Sequence, residues 1–483
     1  MRLLRGVFAR RLAPMGVSAL LALWPGVSGP ATQAVTLQPL VSDYVLLNSG
    51  TAPLTEAQCF AIGRRCFTPT SIRNSYNLGP LYAQGLTGRG QTIVLVDSFG
   101  SATIRSDLNN FNTQFGLPHL CGETGVTCTA GMPTFDTLSI QGTPPATVPP
   151  PSNGTGQEAH NLWALEVALD VEWAHSVAPG ANILLVTTPT AETLGVQGFP
   201  QMMNAEQFVI DHHLGSVISQ SFGAAEESFA SFQSLQNLRD AFIAAQAAGI
   251  TVLASSGDFG TANINKEPVK TPATIPFPTV IWPASDPLVT SVGGTYLCTN
   301  PNTGVGVDTA DPPTNCQLTA NPTAAREVGW IAAGGGFSHV FGVPTFQTGA
   351  LPSGSTGRGV PDVGYQASSR TGVLVYDTDE PGGGGWFVVG GTSSGSPQWA
   401  GIVAIADQLN GGPLGFINPA LYKIGASPAR YAKDFFDVTT GKNQLDPTIP
   451  GFSATKGWDA VTGLGTPNAT YLVPDLVKAA HGQ

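Results

Sequence analysis

Gly390-Gly391-Thr392-Ser393-Ser394-Gly395-Ser396-Pro397 is the stretch on which the reading of this chain turns. The β-prone run Trp386-Phe387-Val388-Val389 stops at its two glycines, and beyond Pro397 an apolar run continues through Trp399, Ile402, Val403 and Ile405. A strand, a tight glycine turn, a serine and a helix together lift a hydroxyl to the mouth of a sheet, at the positive end of a helix dipole. Proline suits the first turn of that helix, because the N–H it lacks would have no intrahelical partner there. The same residues would also serve as an N-capping serine in a glycine-rich turn. The rest of the chain has to decide between the two.

Upstream, apolar runs predict strands over 92–97, 183–187, 216–221, 251–255, 279–282 and 288–292. Helical patterns fall between them at 103–115, 161–177, 202–213 and 232–248. Continuous apolar strands alternating with helices indicate a parallel sheet covered on both faces, an α/β architecture. Residues 118–157, with the proline-rich segment 144–151, read as a loop excursion, and 299–325 as a polar loop. No internal repeat is present.

The chain has 483 residues, 42% hydrophobic and only 11% charged, against about 25% charged in an average protein. That is ample apolar material for a large core. With 21 Lys+Arg against 32 Asp+Glu the net charge is -11, which disfavours nucleic acid and anionic membrane as partners. Residues 1–34 read as a secretory signal: Arg2, Arg5, Arg10 and Arg11, a short apolar run from Leu12 to Trp24, then small residues. The mature protein is therefore expected outside the cytoplasm, extracellular or periplasmic, without a membrane anchor and as a monomer. The six cysteines form near neighbours, Cys59 with Cys66, Cys121 with Cys128 and Cys298 with Cys316. Even count and local pairing in an exported chain favour three disulfides over zinc, since no CxxC or HxxxH accompanies them.

Glu166 and Asp170 stand four residues apart on one face of the helix over 161–177, beside Leu162, Leu165, Leu169 and Trp173. Buried together they would have to share a proton, which makes a general acid/base pair. The alternative is a solvated acidic face extended by Glu172. Asp258 closes the strand 251–255 through Ser256-Gly257, where α/β sheets place their sites, although aspartate also forms turns. Near the C-terminus, Asp437 and Gly457-Trp458-Asp459 offer the oxygen ligands that Ca²⁺ takes.

In order and context these four elements resemble the sedolisins, the serine-carboxyl peptidases. Shorter segments share the resemblance: Leu81-Tyr82-Ala83-Gln84-Gly85-Leu86-Thr87-Gly88, Ala178-Pro179-Gly180-Ala181, Ser221-Phe222-Gly223, Gly334-Gly335-Gly336-Phe337-Ser338 and Pro361-Asp362-Val363. The resemblance runs from about residue 69 to the C-terminus. It implies a subtilisin-like, doubly wound, mostly parallel sheet with helices on both faces, in a single large catalytic domain over 69–483. It implies Ser393 as nucleophile, Glu166 as general base, Asp170 as its orienting partner and Asp258 as oxyanion donor. Ser221, Phe222 and Gly223 would lie along the backbone of a polypeptide substrate. One structural Ca²⁺ would be held by Asp437 and Asp459 with carbonyls of Val438, Thr455 and Gly457.

Two departures stand out. Thr455 sits where the family usually has glycine, and residues 35–68 form a short N-terminal piece where typical members carry a long prosegment. The competing readings are fewer. An ordinary subtilisin would need a His-Gly-Thr motif after the strand-end Asp97, and none of the seven histidines stands in that context. His160, His175, His212 and His213 are expected in surface or capping roles. An acid glycosidase would place its carboxylates on separate strand ends and leave Ser393 unexplained. A catalytically inert binding protein on the same fold would lack one of the four catalytic residues, and all are present. The sequence therefore reads as a secreted, acid-acting endopeptidase.

Overall fold

The computed structural model describes residues 38–39, 43–140, 155–188, 198–265, 273–308, 325–379 and 384–483. The signal segment, the proline-rich segment and Cys316 lie outside the described residues.

Eight strands form the central sheet. In spatial order they are Glu327–Gly329, Thr290–Leu297, Thr251–Ser255, Val217–Gln220, Thr92–Ser98, Asn182–Thr188 and Phe135–Ser139, with Val363–Gln366 also beside Thr290–Leu297. All neighbours are parallel except Glu327–Gly329, which pairs antiparallel. The run Ile93-Val94-Leu95-Val96 is fully buried, as a parallel strand covered on both faces requires. Helices Thr155–Val177 and Gly395–Asn410 pack together on one face, and Phe199–Asp211 and Asp240–Ala248 on the other. The α/β, doubly wound reading holds. Strand order reverses at Thr92–Ser98, and such a switch point opens a crevice at the carboxyl ends of the strands.

Three local expectations are corrected. The strand expected over 279–282 shrinks to Ile281–Trp282, which pairs outside the central sheet with Phe222–Ala225. The helix expected over 232–248 divides into Phe232–Gln236 and Asp240–Ala248, and the break turns Arg239 onto Asp286, Nε to Oδ2 at 2.6 Å. The largest correction concerns the serine strand, Gly385–Gly390. It belongs to a separate four-stranded sheet, in the order Asp43–Asn48, Gly385–Gly390, Thr371–Asp377 and Arg65–Phe67. The serine thus arrives from a side sheet, while the helix that follows it packs against the central one.

The segment 43–67 is built into that side sheet and carries the Cys59–Cys66 disulfide. Cys121–Cys128 is also bonded. Among the described residues no helix is long and apolar enough to cross a membrane.

Candidate active site

Every residue from Trp163 to Ala178 is buried, so the carboxylate helix Thr155–Val177 is covered all round along this length. Glu166, Asp170 and Glu172 are each 0% exposed, which overturns the solvated-face alternative. Glu172 is taken by the side sheet, where Tyr376 N–H donates to Oε2 at 3.1 Å. Asp170 Oδ1 accepts from Ser221 Oγ at 3.0 Å. Burial pushes Asp170 well above the usual carboxylate range, and the charges of Asp97 and Glu166 push it further. Asp97, near the carboxyl end of Thr92–Ser98, is therefore a third member of the cluster, raised by burial to about 7.

The turn that carries Ser393 is built by its backbone. Gly391 has φ +124° and sits between the strand and a single 3₁₀ turn, Thr392–Ser394, from which the helix Gly395–Asn410 starts. That φ is open to glycine and strained for other residues. The carboxylate helix and the strand Thr251–Ser255 both pack against this turn. A Cβ on Gly401 would lie 2.8 Å from Val177 Cβ, so glycine there lets the serine helix approach the carboxylate helix closely. Ser393 is buried, and among the described residues its Oγ has no hydrogen-bond partner.

Asp258 is fixed beside the serine by Thr392. Its Oδ1 accepts from Thr392 N–H and Thr392 Oγ, both at 2.8 Å, while Gly257 N–H donates to Thr392 Oγ at 3.0 Å. Sequence reasoning gave Thr392 no role and considered Asp97 only as the residue an ordinary subtilisin would use. The available signal for Asp97 was its place at a strand end.

Ser221 is buried, and Phe222–Ala225 is the middle strand of a three-stranded sheet between Gln38–Pro39 and Ile281–Trp282. The Phe222 ring lies 5.9 Å from Phe199 and 6.4 Å from Trp163. It is committed to the core, so this strand offers its backbone.

His175 is corrected from a surface role: it is buried, its Nε2 lies 2.8 Å from Pro118 O, and burial lowers it to about 4. It is neutral there. His212 and His213 are exposed as expected.

The C-terminal residues also converge. Asp437 Oδ1 accepts from Tyr431 OH at 2.9 Å and Gly457 N–H at 3.1 Å. Asp459 accepts from Thr455 N–H at 3.0 Å and from Val461 and Thr462 N–H at 2.9 Å. Burial raises Tyr431, and both carboxylates add to it. The two aspartates therefore face one neighbourhood, and as hard oxygen donors they suit Ca²⁺. Thr455 does not adopt a left-handed φ, so the threonine sits there without backbone strain. Among the described residues no three His, Cys, Asp or Glu side chains cluster as metal ligands. Carbonyls such as those of Val438, Thr455 and Gly457 would have to complete a shell.

No family model matches the chain. It is 28% identical over 439 residues to kumamolisin of Bacillus sp. (strain MN-32), covering 88% of this chain and 66% of that protein. It is 30% identical over 354 residues to human (Homo sapiens) tripeptidyl-peptidase 1, covering 67% of this chain and 54% of that protein. The chain thus spans two thirds or less of the length of these curated relatives. Among solved structures it is similar to Pseudomonas sedolisin, a serine-carboxyl proteinase complexed with two molecules of pseudo-iodotyrostatin. That match has a TM-score of 0.62 at 26% identity and covers 85% of this chain and 98% of the other.

Proposed function

The chain belongs to the sedolisin family of serine-carboxyl peptidases, and from that premise we propose that it is a secreted, acid-acting endopeptidase. Ser393 Oγ attacks the scissile carbonyl of a polypeptide. Glu166 takes the serine proton and returns it to the leaving amine. Asp170 orients Glu166 and shares its proton, and Asp258, protonated, donates to the oxyanion of the tetrahedral intermediate.

One observation carries this reading. Asp258 is pinned by Thr392 to the residue preceding Ser393, at a turn against which the helix bearing Glu166 and Asp170 also packs. The environment supports an acid preference. Asp170 is held protonated well above the usual range, so it presents Glu166 with a proton in place of a second negative charge. A carboxylate base works best near its own pKa, and a neutral carboxylic acid can donate to an oxyanion. The donor role and the proton shared by the carboxylate pair fade as pH rises. The substrate backbone lies along Phe222–Ala225 as an added strand.

Asp437 and Asp459, with carbonyls of Val438, Thr455 and Gly457, are the residues that would hold one Ca²⁺. Bound there, the ion would neutralise the two carboxylates. The protein acts as a monomer outside the cytoplasm, with no nucleic acid partner.

The test is hydrolysis of denatured protein between about pH 2 and 8 by wild type and Ser393→Ala. Acid-range cleavage that disappears in the variant supports the proposal. A folded wild type inactive at every pH leaves an inert scaffold instead.

A further inference from the structure

The turn that carries Ser393 joins two sheets, since its strand belongs to the side sheet and its helix packs on the central one. One buried side chain spans that joint. Gln366 ends the strand Val363–Gln366, which pairs with Thr290–Leu297 in the central sheet. Its Nε2 donates to Ser368 O at 2.9 Å and to Thr371 O at 2.8 Å, and Thr371 opens the side-sheet strand Thr371–Asp377. Two carbonyls on the nitrogen fix which way the amide points, so the oxygen faces the turn. There Oε1 accepts from Ser394 Oγ at 2.8 Å, one residue past Ser393. The backbone of Gln366 is held as well: its N–H donates to Tyr76 OH at 2.9 Å, and Tyr76 OH donates to Glu327 Oε1 at 2.8 Å.

Ser394 is diverted from its ordinary task to make this bond. It stands at the N-cap of Gly395–Asn410, where a serine hydroxyl usually accepts from the first-turn N–H groups, yet its side chain makes no cap bond. Gln398 Nε2 instead donates to Ser394 O at 2.6 Å and to Ser394 Oγ at 3.2 Å. A hydroxyl that accepts from one glutamine and donates to the other has a single orientation. The other end of the turn is gripped by the neighbour of Gln366, because Gly391 N–H donates to Ala367 O at 2.6 Å. Gly391 and Ser394 thus bracket Ser393, and both are held from residues 366–367.

We propose that Gln366 is a positioning residue for the peptidase reaction: through Ser394 it fixes where the Ser393 hydroxyl stands relative to the carboxylate helix. The inference rests on the peptidase reading, which makes Ser393 the nucleophile. Its consequence falls on the chemical step. A misplacement of about 1 Å at the reacting atoms costs about 10²-fold in rate. Substrate binding is left alone, because among the described residues neither the Gln366 nor the Ser394 side chain hydrogen-bonds to Phe222–Ala225.

The test compares full-length wild type, Ser394→Ala, Gln366→Met and the double variant on one long peptide. Ser394→Ala deletes the bond with little change in volume, and kcat should fall by about 10- to 100-fold with KM unchanged. Gln366→Met should lower kcat at least as far, and the double variant should lose no more than Gln366→Met alone, since the two act through one bond. A wild-type kcat in Ser394→Ala, or losses that multiply in the double variant, overturns the assignment and leaves the peptidase reading intact. Hydrogen exchange at the Gly391 and Ser394 amides, which are bonded to Ala367 O and Gly391 O, reads the same joint without activity. Faster exchange there in Ser394→Ala, with the strand Thr92–Ser98 unchanged, supports the assignment. Equal exchange in the turn, or faster exchange in both places, overturns it. If no chain hydrolyses the peptide, the peptidase reading fails, and exchange alone decides whether Gln366 holds the turn.

Discussion

Two regions of this molecule bury aspartates completely and treat them in opposite ways. Around Asp362 the charge is met: Arg358, itself 0% exposed, donates from Nη2 to Oδ2 at 2.7 Å. Ser291 N–H reaches the same oxygen at 2.8 Å and Tyr422 OH reaches Oδ1 at 2.9 Å. Where the carboxylate helix meets the strand Thr92–Ser98, both Asp97 oxygens and Asp170 Oδ2 have no hydrogen-bond partner among the described residues. Burial is the same, and the compensation differs. The first arrangement offsets the desolvation of a buried charge with partners, whereas the second makes the folded state hold its protons to higher pH. The Asp362 cluster leaves its carboxylate fully partnered, whereas the Asp97–Asp170 cluster leaves carboxyl oxygens unmatched, as the proposed proton chemistry would use.

The largest effect that can break this comparison is at Arg358. Removing one partner of a fully buried pair leaves an unmatched charge and costs about 3–5 kcal/mol. Arg358→Ala should therefore lower the denaturant midpoint sharply while the folded fraction keeps the wild-type kcat. A loss below about 1 kcal/mol would erase the distinction between the two regions.

The next effect concerns pH. Asp97 is raised from 3.8 to about 7 by burial. Its stabilisation is fully present below about pH 4 and is lost as pH rises to 7, because the folded state binds the extra proton in that window. At 1.36 kcal/mol per unit the upper bound is about 4 kcal/mol. Wild type should melt at a higher temperature at pH 4 than at pH 7.5, and Asp97→Asn should flatten that slope. The slope should persist in part, since burial also raises Asp407 to about 7. An unchanged slope in Asp97→Asn would mean that this carboxyl is already compensated.

The C-terminal aspartates provide the smallest and sharpest contrast, since their proposed compensation comes from outside the chain. An ion at 100 times its Kd adds about 2.7 kcal/mol. Chelation should lower the melting temperature by a few degrees and have no effect on Asp459→Asn. Insensitivity of the wild type to chelator would remove the ion from the account.

How much of this was legible in the sequence depended on distance along the chain. The parallel strands could be read because each is a continuous apolar run, such as Ile93-Val94-Leu95-Val96. The sheet to which the serine strand belongs could not, because its partner Asp43–Asn48 lies near the other end of the chain and no local pattern records that pairing. The catalytic candidates were legible because each sits in a motif whose residue types carry the chemistry. Asp97 was not, since a strand-end aspartate is also an ordinary turn former. Burial of Glu172 was hidden for a similar reason: helical spacing gives its direction, and only the side sheet supplies Tyr376 N–H to receive it. Gln38–Pro39, two residues without a period, left no mark at all.

The most direct test of the central claim is the pH dependence of kcat/KM for wild type and Glu166→Gln on one peptide. A buried carboxylate base predicts a maximum in the acid range and a loss of about 10²–10⁴-fold in the variant. A maximum near or above neutrality, with Glu166→Gln as active as wild type, would contradict it.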